Sequence, residues 1–190
     1  MASSPPPRIG ARVPGYVVLV IDERAVRAAA GILLLAGGIA FGTALATGST
    51  APLQPFGMLF MFDMLLRIGL GDRWSPTLAV GRLAVRRQKP EWVGASQKEF
   101  AWMLGFGLAF VSCTTMGLLA TPLWVTLVLC GTCLTLLFLE TSFGICVGCA
   151  LQQRFGKTEP MYCPGGICET ATAPGTDFLT PDSSIGRIER

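Results

Sequence analysis

The sequence predicts an all-α, polytopic membrane protein with four transmembrane helices and an amphipathic interfacial helix between spans two and three. Three observations predict it. Charged residues are only 14% of the 190-residue chain, against about a quarter in soluble domains. Apart from Asp63, Arg67 and Glu140, those charges are confined to the two ends and one central segment, leaving apolar stretches of the length a bilayer-crossing helix needs. The Lys and Arg residues also fall on alternate sides of those stretches, as the positive-inside rule requires.

Met1 to Pro14 is rich in Ser and Pro, and residues 1–20 read as an N-terminal tail. Tyr16 to Ile21 is a short β-branched patch expected along the interface. It is too short for the apolar core of a secretory signal and runs into Asp22-Glu23, so no signal peptide is expected. Asp22 has the character of a helix N-cap, with Glu23 in the first turn and Arg24 and Arg27 at the membrane entry. Span one follows from Ala28 to about Thr47. Its glycines at 38 and 42 form a small-xxx-small pair suited to close helix contact.

Gly48 to Pro55 is an uncharged turn. Span two runs from about Phe56, or from Leu53, to Leu70. It carries Asp63 and Arg67, four residues apart and therefore on one helix face. Either charge placed against lipid is costly, so both are expected to face the bundle interior, as a structural pair or as part of a polar path. In the central segment Ser75-Pro76 is a good helix start. Pro76 to Gln88 then sets Leu78 and Leu83 beside Arg82, Arg86 and Arg87, the pattern of an interfacial helix on an anionic leaflet. Lys89-Pro90 ends it, and Trp92 suits the headgroup level. Span three runs from about Phe100 to Ala120, with Trp102 near its entrance. Thr121-Pro122 makes a tight turn, and span four extends from Pro122 to Leu151.

The flank before span one, the central segment and the stretch after span four hold the Lys and Arg residues; the other two connections hold none. Both termini and the central segment are therefore expected in the cytoplasm. The domain of four helices is read as residues 21–152, and residues 153–190 as a cytoplasmic cysteine-containing tail, polar and partly disordered from Thr170. The net charge of +3 is modest and the basic residues sit beside apolar runs, so the expected partner is a lipid bilayer and not a nucleic acid.

At about 1.5 Å per residue, Arg67 lies roughly 20 Å and Glu140 roughly 27 Å from the outer turns. Both are then near the cytoplasmic side, where Arg67 can pair with Glu140 and Asp63 can join. The chain has seven cysteines and no histidine. Cys113, Cys130 and Cys133 fall within the bilayer, where an apolar setting keeps a thiol inert; they read as small core residues. Cys146 and Cys149 emerge at the cytoplasmic face beside Arg154 and Lys157, where cations and water favour a thiolate. With Cys163 and Cys168 they form C-x2-C-x13-C-x4-C. Three readings stay open: packing thiols, a redox or sulfur-relay pair at Cys146 and Cys149, or a four-thiolate zinc or iron–sulfur site. Helical spacing puts Glu140 on a different face from Cys146 and Cys149, unless the helix breaks at Gly144.

Several stretches together resemble a family of uncharacterised bacterial integral-membrane proteins, domain of unknown function 4395. They are Ile21-Asp-Glu-Arg-Ala-Val-Arg27, then Phe62-Asp-Met-Leu-Leu-Arg67 through Arg73-Trp-Ser-Pro76, then Lys98-Glu-Phe100 and Phe143-Gly-Ile-Cys-Val-Gly-Cys149. The likeness covers roughly residues 20 to 152 and implies a small polytopic inner-membrane protein. Such proteins look like companions of thioredoxin-like and sulfurtransferase proteins, which implies thiol or sulfur chemistry by association alone. The expected function is thus thiol redox or sulfur handling at the cytoplasmic membrane face. A docking subunit of a larger membrane complex and a small permease lined by Asp63, Arg67 and Glu140 are the alternatives.

Overall fold

The computed structural model describes residues 9–144 except Val17, Ala120 and the side chain of Gln97, together with Val147 and Leu151. Cys146, Cys149, Cys163 and Cys168, and the tail reading for 153–190, lie outside the described residues. The described chain is mostly helical, in the order β1 (Val20–Asp22), α1 (Glu23–Thr47), α2 (Leu53–Gly69), α3 (Pro76–Val85), β2 (Trp92–Gly94), α4 (Ala95–Gly117) and α5 (Leu123–Phe138). A π-turn, Leu139–Phe143, continues α5.

The helix boundaries follow local chemistry. The Asp22 carboxylate accepts from the Arg24 N–H at 3.1 Å, and Gly48 closes α1 in the left-handed conformation at φ 64°. Ser75 Oγ accepts from the Leu78 N–H at 3.1 Å, with Pro76 in the first turn of α3. Among the described residues, three helices are long and apolar enough to cross a membrane: Glu23–Thr47, Lys98–Gly117 and Leu123–Phe143. With 17 residues, α2 is shorter. Large apolar side chains such as Leu35, Ile39, Met58, Phe62 and Trp124 point outward, as lipid-facing side chains do.

The expectation of purely helical structure needs one correction. Val20–Asp22 pairs antiparallel with Trp92–Gly94, Ile21 opposite Val93, so the last two residues of the β-branched patch before α1 are in a strand. Its partner lies some seventy residues on, which is why local pattern did not reveal the pairing. The sheet ties the beginning of α1 to the beginning of α4.

Helix α3 lies directly on α1, and α2 packs on α4, with α5 against α1 and α4. The approach of α3 to α1 requires glycine: a Cβ at Gly81 would stand 2.5 Å from the Ala25 carbonyl oxygen. Leu78, fully buried beside Val26, Ala29 and Leu33, points into protein, whereas Val80 and Leu83 remain exposed. Of the glycines in α1, Gly37 meets the Phe56 ring, whereas Gly38 and Gly42 face open space. The close contact within the chain therefore uses neighbours of the pair that the sequence motif singled out.

Candidate functional site

Two buried clusters of charge lie at the end of the bundle where α1 and α4 begin and α2 and α5 finish. The first is local. Arg67 donates from Nε to Asp63 Oδ2 at 2.8 Å, and its Nη2 stands 2.7 Å from the same oxygen. Ser75 donates to Asp63 Oδ1 at 2.7 Å, Thr77 Oγ1 to Oδ2 at 2.7 Å, and the Thr77 N–H to Oδ1 at 3.2 Å. Arg67 also donates to Ser75 Oγ and Thr77 Oγ1. Its guanidinium carbon lies 5.1 Å from the centre of the Trp102 ring, a cation–π distance. Asp63 is wholly buried and Arg67 is 2% exposed. Such a pair is tolerable away from water only because the carboxylate oxygens are multiply satisfied.

The second cluster joins three helical elements. Lys98, at the start of α4, reaches Glu23 at the start of α1: Nζ is 3.0 Å from Oε1 and 2.8 Å from Oε2. The same nitrogen donates to Glu140 Oε1 on the π-turn at 2.9 Å. Lys98 and Glu23 are fully enclosed, while Glu140 is slightly exposed. Two carboxylates thus converge on one ammonium. The Oε2 atom of Glu23 is close to Lys98 but lacks an aligned hydrogen bond, so charge alone holds it.

Of the two carboxylates expected as partners for Arg67, the structure bears out Asp63 and corrects Glu140. Arg67 is engaged by Asp63, four residues earlier on its own helix, and Glu140 is engaged by Lys98. Depth along the membrane placed Arg67 and Glu140 at similar levels, but depth does not resolve which faces meet. An apolar cleft lined by Phe60, Met64, Trp102 and Leu137 runs up to Glu140.

The π-turn is clasped from two sides. Lys98 holds Glu140, and Arg27 Nη2 donates to the carbonyls of Thr141 at 3.1 Å and Ser142 at 3.5 Å. These are among the carbonyls that the end of a helix leaves without intrahelical partners. Gly144 then stops the helix at φ 67°. The break that would invalidate angular counting from Glu140 to Cys146 is therefore present, two residues before Cys146.

Residues 21–157, more than half of the chain, match the family described as a domain of unknown function (DUF4395). The chain belongs to this family. No curated protein and no solved structure matches it. The DUF4395 region contains both charge clusters together with Cys146 and Cys149, while Cys163 and Cys168 fall beyond it.

Within the described part of the DUF4395 region, Cys113, Cys130 and Cys133 are not in disulfides and line one small apolar cavity of about 30 Å³. Cys113 lies so close to α2 that a Cβ at Gly57 would stand 2.7 Å from its sulfur, and Cys130 Sγ is 3.3 Å from Ser112 Oγ. These contacts are those of small packing residues. Among the described residues, no group of His, Cys, Asp and Glu is placed to hold a metal ion. Sequence reasoning missed Lys98, Glu23 and Arg27 as site-forming residues. The available signal was that each is a charge within one turn of a membrane entry, at a position where another entry could meet it.

Proposed function

We propose that this protein is a four-span bacterial cytoplasmic-membrane protein that presents the Cys146/Cys149 pair for thiol redox or sulfur transfer at the cytoplasmic face. In this reading α1, α2, α4 and α5 are the spans, and both termini and the α2–α4 connection are cytoplasmic. At about 1.5 Å per residue, the 17 residues of α2 extend about 25 Å, short but adequate where the bilayer thins locally. Helix α3 lies at the interface, its exposed Val80 and Leu83 toward lipid and Arg86 and Arg87 toward headgroups.

The observation that carries the reading is the double clasp on the π-turn. Arg27 caps carbonyls of the helix end and Lys98 holds Glu140, so the segment that leads to Cys146 and Cys149 departs from a fixed point, as a site that must present two thiols requires. In a redox cycle the dithiol of Cys146 and Cys149 becomes a disulfide, releasing two electrons and two protons to a partner disulfide, which becomes a dithiol. A thioredoxin-like or sulfurtransferase protein has the required chemistry as partner. Zinc or an iron–sulfur cluster held by Cys146, Cys149, Cys163 and Cys168 is the competing use of the same thiols.

Thiol counting and metal analysis on the purified protein, with and without reductant, test this. A working pair reacts faster at neutral pH than Cys113, Cys130 or Cys133 and changes oxidation state with reductant. A metal site labels slowly until a chelator is added. Equal, slow labelling of all seven thiols, indifferent to chelator and reductant, removes both. Labelling of Cys163 or Cys168 by an impermeant reagent on intact cells overturns the orientation.

A docking subunit is the second reading, favoured by the outward-facing Gly38 and Gly42 on α1. The permease alternative draws less support, because Asp63 and Arg67 are closed on each other and on Ser75 and Thr77.

A further inference from the structure

Where the start of α1 meets the end of α3, Arg24, Arg27, Val85, Gln88 and Glu91 line an open polar cup of about 300 Å³. Among the described residues, both hydrogen bonds of the Arg27 side chain leave from Nη2, so Nε and Nη1 have no acceptor there. Arg24 donates from Nη1 to Gln88 Oε1 at 3.2 Å, and its Nε stands 3.7 Å from Glu91 Oε2. That last separation is an ion pair but too long for a hydrogen bond. Arg86, Arg87 and Lys89 follow α3 directly and are exposed around the same end.

The local charges set what the cup can take. Glu23 and Glu140 outnumber Lys98 by one, which Arg27 balances, and Arg24 is matched by Glu91. Arg86, Arg87 and Lys89 still outnumber Asp22, whose carboxylate accepts from the Arg24 and Glu91 N–H groups, so the surround is positive, and among the described residues the guanidinium edges have N–H groups without acceptors. Paired N–H donors on a planar fork match the oxygens of a tetrahedral anion, and arginine suits this better than lysine.

We propose that this cup binds a phosphate group, held by Arg24 and Arg27, with Glu91 as a built-in competitor that moves aside. Glu91 is 41% exposed and held by one long ion pair, so displacing it requires little rearrangement. The group can come from an anionic lipid headgroup, with its chains along exposed Val80 and Leu83, or from a soluble phosphate. The proposal is independent of the cysteine chemistry and fails or stands without it.

The test uses the full chain in a neutral detergent, titrated with inorganic phosphate and separately with dihexanoyl phosphatidic acid, with thermal unfolding as readout. At least one probe raises the unfolding midpoint, and Arg24→Gln and Arg27→Gln each weaken its apparent affinity about tenfold, as loss of one charge-assisted contact does. Glu91→Gln tightens binding. Arg73→Gln, at the opposite end of α3 and about 15 Å away, leaves it unchanged. Because Arg27 also holds the π-turn, the exposed Arg24 decides the outcome if Arg27→Gln does not fold. An equal response to both probes assigns the soluble source, and a response to the lipid alone assigns the headgroup. No response to either probe, an Arg73→Gln loss as large as that of Arg24→Gln, or weaker binding in Glu91→Gln overturns the proposal.

Discussion

The two buried charge clusters solve the same problem in opposite ways. Around Asp63 and Arg67, one carboxylate meets one guanidinium, and two hydroxyls and a backbone N–H complete the set, all within fifteen residues of chain. Around Lys98, two carboxylates meet one ammonium, contributed by elements 75 and 42 residues away. The first cluster is balanced and over-satisfied, and it joins α2 to the start of α3. The second sets two carboxylates on one ammonium, its balance completed only by Arg27 outside the hydrogen-bonded set, and joins α1, α4 and the π-turn. A balanced local cluster serves as an anchor; one spread over three elements makes each element's position depend on the other two.

The largest effect should come from Lys98→Met. It leaves the enclosed Glu23 and the largely buried Glu140 without their cation, so the loss should exceed the roughly 3–5 kcal/mol typical of breaking one buried pair. Unfolding in detergent, or yield of folded protein, measures it. If Lys98→Met is no worse than Arg67→Leu, the second cluster is not the tighter junction. Arg67→Leu should itself cost about 3–5 kcal/mol, with Asp63→Leu/Arg67→Leu milder because no charge is stranded. A double variant as damaged as the single one would mean that the contacts to Ser75, Thr77 and Trp102 dominate.

How much of this was visible beforehand follows the same division. Asp63 and Arg67 stand out as charges inside an apolar run, four apart, and their pairing is helical geometry. Ser75 was readable as a helix cap, but not as a partner for Asp63, since that needs the turn between α2 and α3 to bring it back. In the sequence Lys98 and Glu23 are flanking charges, each with an ordinary explanation at a membrane entry. Nothing local says that they touch; the β1–β2 pairing brings their helices together, and that pairing is itself long-range. Depth arithmetic allows Glu140 to pair with Arg67, whereas its partner is Lys98, because depth resolves level and not face. Cys146 and Cys149 were legible as a motif, and the break at Gly144 that precedes them appeared beforehand only as a condition.

Smaller effects sharpen the contrast. Ser75→Ala removes the α3 cap and one Asp63 donor together, and should cost about 1–2 kcal/mol, measured by the same unfolding assay. A loss as large as that of Arg67→Leu would make the hydroxyl, and not the ion pair, the keystone of the first cluster. Glu140→Gln should have the least effect on stability, since it removes one of the two carboxylate charges while keeping an acceptor for Lys98. Its signature should instead be a changed labelling rate at Cys146 relative to Cys113. An unchanged rate would separate the Lys98 cluster from the cysteine segment.

The short β1–β2 pairing has a consequence for the order of events during synthesis. Val20 is made early and its partner Gly94 some seventy residues later, after α1, α2 and α3 have all been synthesised. At typical elongation rates of about 5–20 residues per second, several seconds separate the two strands. Through that interval α1 has neither its strand partner nor Lys98 for Glu23, and only the arrival of α4 supplies both at once. The first helix to be made is therefore among the last to reach its final position.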